Sequence, residues 1–254
     1  MKKIYIGTCG QVMAWKKLLA TYSALEINST FYYFPSIRQR ENWKKLLASR
    51  NNFFLSLKAY QGFTHPYRSP TWKKAKLSQE EFAKIKHYVG CLKWNQVTKN
   101  FWEEMLLLSK ELKADFLLFQ VPNSCAKEKE NIAYFFEQIS QDLPFRLGLE
   151  IRWPDKTLLL NLWQKFRIIP VFDPFIDIEL KDLFFPLLDF IYLRLHGKME
   201  NKRLNYKYRY SDEDLQKLDQ WIQEMQGQTV CVLFNNVYMK EDALRFKERL
   251  ENRK

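Results

Sequence analysis

FIYLRLHG, residues 190–197, is an apolar run of β-branched and aromatic residues that turns polar only at its end. Side chains alternate in a strand, so Arg194 and His196 face the same way, and Gly197 closes the segment. Seven other runs share its size and bias: IYIGT (4–8), ALEIN (24–28), FFLSLKA (53–59), DFLLFQV (115–121), RLGLEI (146–151), IIPVFD (168–173) and TVCVLFNN (229–236). Near-continuous apolar runs are what strands buried on both faces require. Between them lie amphipathic stretches that predict helices over 12–22, 37–50, 98–113, 128–140, 155–166, 179–187 and 211–226, with an eighth over 240–252 after the last strand. Ser211 with Asp214 reads as a capping box, and Pro154 with Asp155 as a helix start. Strict alternation of eight strands with eight helices predicts a parallel (β/α)8 barrel, a single domain over 1–254, with a long insertion after the third strand. A doubly wound open sheet is the alternative, but GTCGQ (7–11) lacks the Gly-x-Gly-x-x-Gly turn of a dinucleotide fold.

The polar strand ends carry the functional expectation. Glu26 and Asn28 share a face, as do Ser56 and Lys58, Glu150 and Arg152, and Arg194 and His196, while Gln120, Asp173, Asn235 and Asn236 end their own strands. In a (β/α)8 barrel such ends meet at the mouth where active sites sit. Arg194, inside an apolar run, requires a carboxylate, with Glu26, Glu150 and Asp173 as candidates. Such a mouth suits a hydrolase or lyase acting on an anionic or phosphorylated substrate held by Lys58 and Arg152, with Glu150 or His196 as general base or acid and Glu26 orienting a ligand or holding Arg194. Lys58 as a Schiff-base nucleophile is a variant. An extended ion network without chemistry is the competing account.

Two connections look like binding loops. About 38 residues link the third strand to the next helix core (Tyr60 to Val97), carrying aromatics, His65 and positive charge. GKMENKRLNYKYRYS (197–211) alternates Tyr206, Tyr208 and Tyr210 with Lys207 and Arg209, a pattern able to stack bases and hold phosphates. The net charge of +12, from 41 Lys and Arg against 29 Asp and Glu, suits a nucleic-acid-binding protein or nuclease, or reflects composition alone. A non-catalytic ligand-binding barrel is a third possibility.

With three histidines and no HxH or HExxH, a multi-zinc site is disfavoured; a single Mg²⁺ or Mn²⁺ on Glu26, Glu150 and Asp173 stays open. His87 falls on a predicted helix. No nucleotide-cofactor motif is present. The four cysteines (Cys9, Cys91, Cys125, Cys231) have no CxxC spacing and read as reduced thiols of a cytoplasmic protein. No run suggests a signal peptide or a membrane helix.

IYIGTCG, LEINSTFY, LKAYQGFTH, LLFQVP, LEIRWP, YLRLHG with the later YS, and LFNN resemble, in order, the DUF72 (YecE-like) family of TIM-barrel proteins without a securely assigned activity. The resemblance spans nearly the whole chain and implies site residues at Glu26, Asn28, Thr30, Tyr32, Lys58, His65, Gln120, Glu150, Arg152, Arg194, His196, Tyr210, Asn235 and Asn236. Cys9, Gln11 and Trp153 stand where the family pattern has serine, tryptophan and histidine.

Overall fold

The computed structural model describes residues 2–48 and 50–253. Eight parallel strands close into a barrel: β1 (Lys3–Cys9), β2 (Ala24–Ile27), β3 (Phe54–Lys58), β4 (Phe116–Val121), β5 (Arg146–Ile151), β6 (Ile169–Phe172), β7 (Phe190–Leu195) and β10 (Thr229–Phe234), in the order β1-β10-β7-β6-β5-β4-β3-β2. A two-stranded antiparallel ribbon, β8 (Lys198–Glu200) with β9 (Arg203–Asn205), follows β7. The predicted helices appear as α1 (Trp15–Thr21), α2 (Ile37–Leu47), α5 (Gln96–Glu111), α6 (Glu130–Ile139), α7 (Lys156–Phe166), α8 (Ile178–Phe184), α9 (Asp212–Glu224) and α10 (Met239–Glu251), with ends within about three residues of expectation, the usual play at helix termini. Their starts are chemically defined. Ser211 and Asp214 form the expected capping box, and the Asp155 carboxylate caps α7 by accepting from Leu158 N–H. Each such cap stabilises by about 1 kcal/mol.

Contacts within the chain group into two compact units, Met1–Glu26 with Arg50–Leu55 and Pro170–Lys254, and Ile27–Ser49 with Ser56–Ile169. In the first, β1 pairs in register with β10 (Ile6 beside Val232) and β10 with β7 (Val232 beside Leu193), the paired strands being apolar and buried. Leu215, Leu218 and Ile222 of α9 and Phe246 of α10 are buried too. In the second, β3, β4 and β5 pair in parallel, and the core is aromatic. Phe63, Phe119, Phe135 and Phe136 meet edge to face with centroids 5.4–5.7 Å apart, the packing that ring quadrupoles favour.

The insertion after β3 is not a structureless loop. It folds as α3 (Gln61–Thr64), a 3-10 turn (Pro70–Lys74) and α4 (Gln79–Ile85), the last opened by a Ser78–Glu81 capping box. His87, expected on a helix, lies in the exposed turn after α4, because the helix ends at Ile85. Gly90 closes the insertion at φ +93°, where an added Cβ would stand 2.5 Å from the Pro66 nitrogen. Cys91 and Leu92 follow, both in the left-handed region at a cost of about 1–2 kcal/mol each. Hydrogen bonds to the Thr64 and Phe63 carbonyls hold them there, together with a Cys91–Cys125 disulfide. The expectation of four reduced thiols therefore fails for this pair. The two residues are 34 apart in sequence, and the insertion brings their Cα atoms to 5.1 Å. Cys9 and Cys231 stay as buried thiols. Among the described residues no helix is long and apolar enough to cross a membrane.

Candidate functional site

In the second unit the ends of three neighbouring strands present a continuous polar row. Lys58 ends β3, and its Nζ donates to Gln120 Oε1 on β4 at 2.8 Å. Gln120 is the register partner of Glu150 on β5. Two residues on, Arg152 Nη2 stands 2.7 Å from Glu150 Oε1. Glu150 is 3% exposed, while the Arg152 side chain keeps 28% of its surface open. The row thus holds two cations and one carboxylate. The guanidinium fork is suited to two-point recognition of a phosphate or carboxylate.

The segment behind the row is built to hold it. Thr30 Oγ1 lies 2.7 Å from the Lys58 carbonyl and 2.8 Å from that of Ile27, tying the end of β3 to the short turn Asn28–Phe31. The Lys58 ammonium stands over the Phe31 ring, 4.2 Å from its centroid, and the same ring meets His65 edge to face at 4.8 Å. Tyr32, half-buried, accepts through its carbonyl from Gln61 Nε2 at 3.3 Å. His65 is buried, its Nδ1 2.8 Å from Thr64 Oγ1. Burial, with the positive charges of Lys58 and Arg152, holds its pKa down at about 3. His65 is therefore a neutral imidazole at physiological pH. When Thr64 donates to Nδ1, the other ring nitrogen carries the proton and is a neutral donor.

The first unit holds the other expected residues in networks of its own. Arg194 finds Glu26 among its three candidates: Nη2 donates to Oε1 at 2.8 Å, and the Tyr192 hydroxyl donates to Oε2 at 2.8 Å. Glu26, Tyr192 and Arg194 are all fully buried. Both Glu26 oxygens are thus engaged by protein. Asp173, just past β6, accepts from His196 N–H at 2.6 Å through Oδ2 and from Phe175 N–H at 3.0 Å through Oδ1. The His196 ring nitrogen Nδ1 is 3.4 Å from Asp173 Oδ2. Gly197 bends the chain at φ +116°. Its N–H donates to the Tyr210 hydroxyl, which faces the Gly197 carbonyl in turn, at 2.9 and 3.1 Å. Burial and the Asp173 charge raise the Tyr210 pKa well above its ordinary value. Asn236 donates to Asp242 Oδ2 at 2.7 Å and to the Tyr208 carbonyl at 2.8 Å. Asn235, half-buried, continues the β10 ladder through its N–H to the Leu195 carbonyl.

The Tyr/Lys alternation at 206–210 does not form a row of open rings. Tyr210 is 1% exposed, the Tyr208 hydroxyl donates to Asp214, and only Tyr206 is broadly exposed, edge-on to His196 at 6.1 Å. Asp214 and Gly197 take these hydroxyls because the ribbon β8–β9 folds the segment back on α9, where Lys198 also reaches Asp214 at 2.6 Å. Sequence reasoning missed Phe31, Thr64 and Asp242. The first two stand beside singled-out residues in motifs it had quoted, but Asp242 sits in a helix first turn where an acid reads as solvated. Among the described residues there is no group of three or more His, Cys, Asp or Glu side chains that could hold a metal ion.

A family model described as "Protein of unknown function DUF72" matches residues 14–254. No curated protein matches the chain. Among solved structures, a DUF72 family protein (EF0366) from Enterococcus faecalis V583 superposes with a TM-score of 0.63 at 18% identity, covering 99% of this chain and 98% of that one. A D-tagatose 3-epimerase-like protein gives 0.53 at 15% identity, over 99% and 96% of the two chains. Endonuclease IV from Thermus thermophilus gives 0.53 at 12%, over 99% and 100%. At these identities the likeness is one of fold.

Proposed function

Because the chain belongs to the DUF72 family, whose name supplies no reaction, we propose a function from the site's own chemistry: an enzyme that acts on a phosphorylated or otherwise anionic substrate by hydrolysis or elimination. The observation that carries this reading is the row Lys58–Gln120–Glu150–Arg152, two cations and one carboxylate, beside an imidazole that burial, together with the same two cations, keeps neutral. Lys58 and Arg152 bind the anionic group. Glu150, adjacent to Arg152, is the general base. In a hydrolysis it takes a proton from water as the water oxygen bonds to phosphorus and the P–O bond to the leaving alcohol breaks, the proton passing on to that alcohol. In an elimination it takes a proton from the carbon next to the anionic group as a C=C bond forms and the bond from the neighbouring carbon to its leaving group breaks, the two cations stabilising the negative charge that develops. His65 donates a neutral hydrogen bond and does not compete with the substrate for the cations. Glu26, Arg194, Asp173 and His196 act in this account by positioning the strand ends in which they are buried. The names of two fold neighbours, an epimerase-like protein and an endonuclease, accord with a barrel that hosts catalysis.

The test is thermal stability in the presence of a panel of phosphorylated metabolites. A ligand at a hundredfold excess over its Kd stabilises by about 2.7 kcal/mol. We expect at least one phosphorylated compound to raise the Tm of the wild type and to lose that effect in Lys58→Ala and Arg152→Ala. Equal shifts in all three proteins would remove the anion clamp.

A further inference from the structure

The three consecutive rings Phe31, Tyr32 and Tyr33 each carry a lysine. Lys58 Nζ stands 4.2 Å from the Phe31 centroid, Lys74 Nζ 5.2 Å from that of Tyr32, and Lys76 Nζ 3.7 Å from that of Tyr33. The rings belong to adjacent residues, and those of Phe31 and Tyr32 meet edge to face with centroids 5.0 Å apart, so the three lysine–ring contacts succeed one another along the chain as a short file. The file runs from the strand-end row, through Lys58, to the surface of the insertion, where Lys74 and Lys76 are exposed and Tyr32 and Tyr33 half-buried. Lys74 and Lys76 have no carboxylate partner among the described residues, and the insertion 60–97 carries seven basic residues against two acidic ones. Lysines that met acids would be a solvated, self-neutralised face. Here they meet π faces instead.

We infer that this file is a track for a single nucleic-acid strand, leading one of its phosphates to Lys58. Alternating cations and aromatic faces are what a flexible strand offers partners for, phosphate to ammonium and base to ring. A lysine–ring contact at an exposed site is weak, so a base can take the ring face while the freed ammonium moves to the backbone. A rigid duplex, whose bases are already stacked, has nothing to give Tyr32 and Tyr33. The inference goes beyond the anion-binding reading and rests on it only through Lys58, since Lys74 and Lys76 lie outside the strand-end row.

The experiment measures anisotropy of a 5′-fluorescein-labelled 20-mer oligothymidylate with the wild type and with Lys74→Ala/Lys76→Ala, from 25 to 200 mM salt. Thermal stabilisation by inorganic phosphate is followed in parallel. For single strands the slope of log K against log salt is about −0.7 per phosphate contacted. The wild type is expected to bind with such a slope. The double variant should flatten it by about 1.4 and weaken binding at least tenfold at 100 mM, with its response to inorganic phosphate unchanged. No binding by the wild type, an unaltered slope in the variant, or equal affinity for a duplex of the same length would overturn the track. Loss of the phosphate response in the wild type, with oligonucleotide binding intact, would sink the anion-clamp reading and leave the track standing.

Discussion

Lowering the pH should unfold this protein partly through one residue. His65 is buried beside Lys58 and Arg152, and its pKa falls from an ordinary 6.5 to about 3. The folded state therefore prefers the neutral ring, and between those two values the unfolded chain binds a proton that the folded one refuses. Stability contributed in this way is complete above about pH 6.5 and is lost as the pH falls toward 3. The full gap between the two values corresponds to about 5 kcal/mol, and the part falling between pH 7 and pH 4 to about 3 kcal/mol. Relaxation of the Lys58 and Arg152 side chains away from a charged ring reduces both figures. The assay is urea unfolding of the wild type and His65→Gln at intervals across that range. Gln keeps a polar partner for Thr64 but cannot titrate. The wild type should lose about 2–3 kcal/mol more than the variant between pH 7 and pH 4, while the two curves run parallel above pH 7. Parallel curves throughout would show that His65 titrates as an ordinary surface histidine, and the electrostatic picture of the row would fall with it.

Glu26→Gln should cost about 3–5 kcal/mol in urea unfolding, because it breaks a fully buried ion pair by neutralising the carboxylate that Arg194 Nη2 meets at 2.8 Å; a loss under about 1 kcal/mol would contradict the pair. Paired Cys91→Ser/Cys125→Ser should destabilise by about 4 kcal/mol, the loop-closure value for residues 34 apart, and mass spectrometry without reductant should find the wild type two hydrogens lighter than the reduced chain. Gly197→Ala should be destabilised by more than the ordinary surface range of about 0.5 kcal/mol, since the added Cβ would stand 2.2 Å from the Asn205 carbonyl oxygen at a φ of +116°; an unchanged urea midpoint would contradict the bend at that residue.

The fold was legible because parallel strands are buried on both faces, so IYIGT or TVCVLFNN reads as a strand without help from its neighbours. The polar strand ends were legible by the same logic, since Lys58, Glu150 and Arg152 interrupt runs that packing alone would keep apolar. Pairing was not. Arg194 announced that it needed a carboxylate, but three lay within reach of the pattern, and choosing Glu26 takes the register of strands far apart in the chain. The disulfide was invisible for a related reason: residues 91 and 125 are joined by the path of the insertion, which local spacing does not encode. At 206–210 the pattern misled, because alternation says which side chains share a face and not whether that face is covered. Asp214 and Gly197 engage Tyr208 and Tyr210, leaving only Tyr206 open. The short helices inside the insertion also escaped notice, being too brief for a periodic signal to accumulate.

If Lys58 and Arg152 together receive an anion, a heavy oxyanion will settle between them. Crystals soaked in tungstate, an electron-dense analogue of phosphate, test it most directly. Tungstate oxygens should lie within about 3 Å of both Lys58 Nζ and the Arg152 guanidinium, with the site empty in Arg152→Ala. Tungstate scattered over surface lysines with none at the ends of β3 and β5 would contradict it.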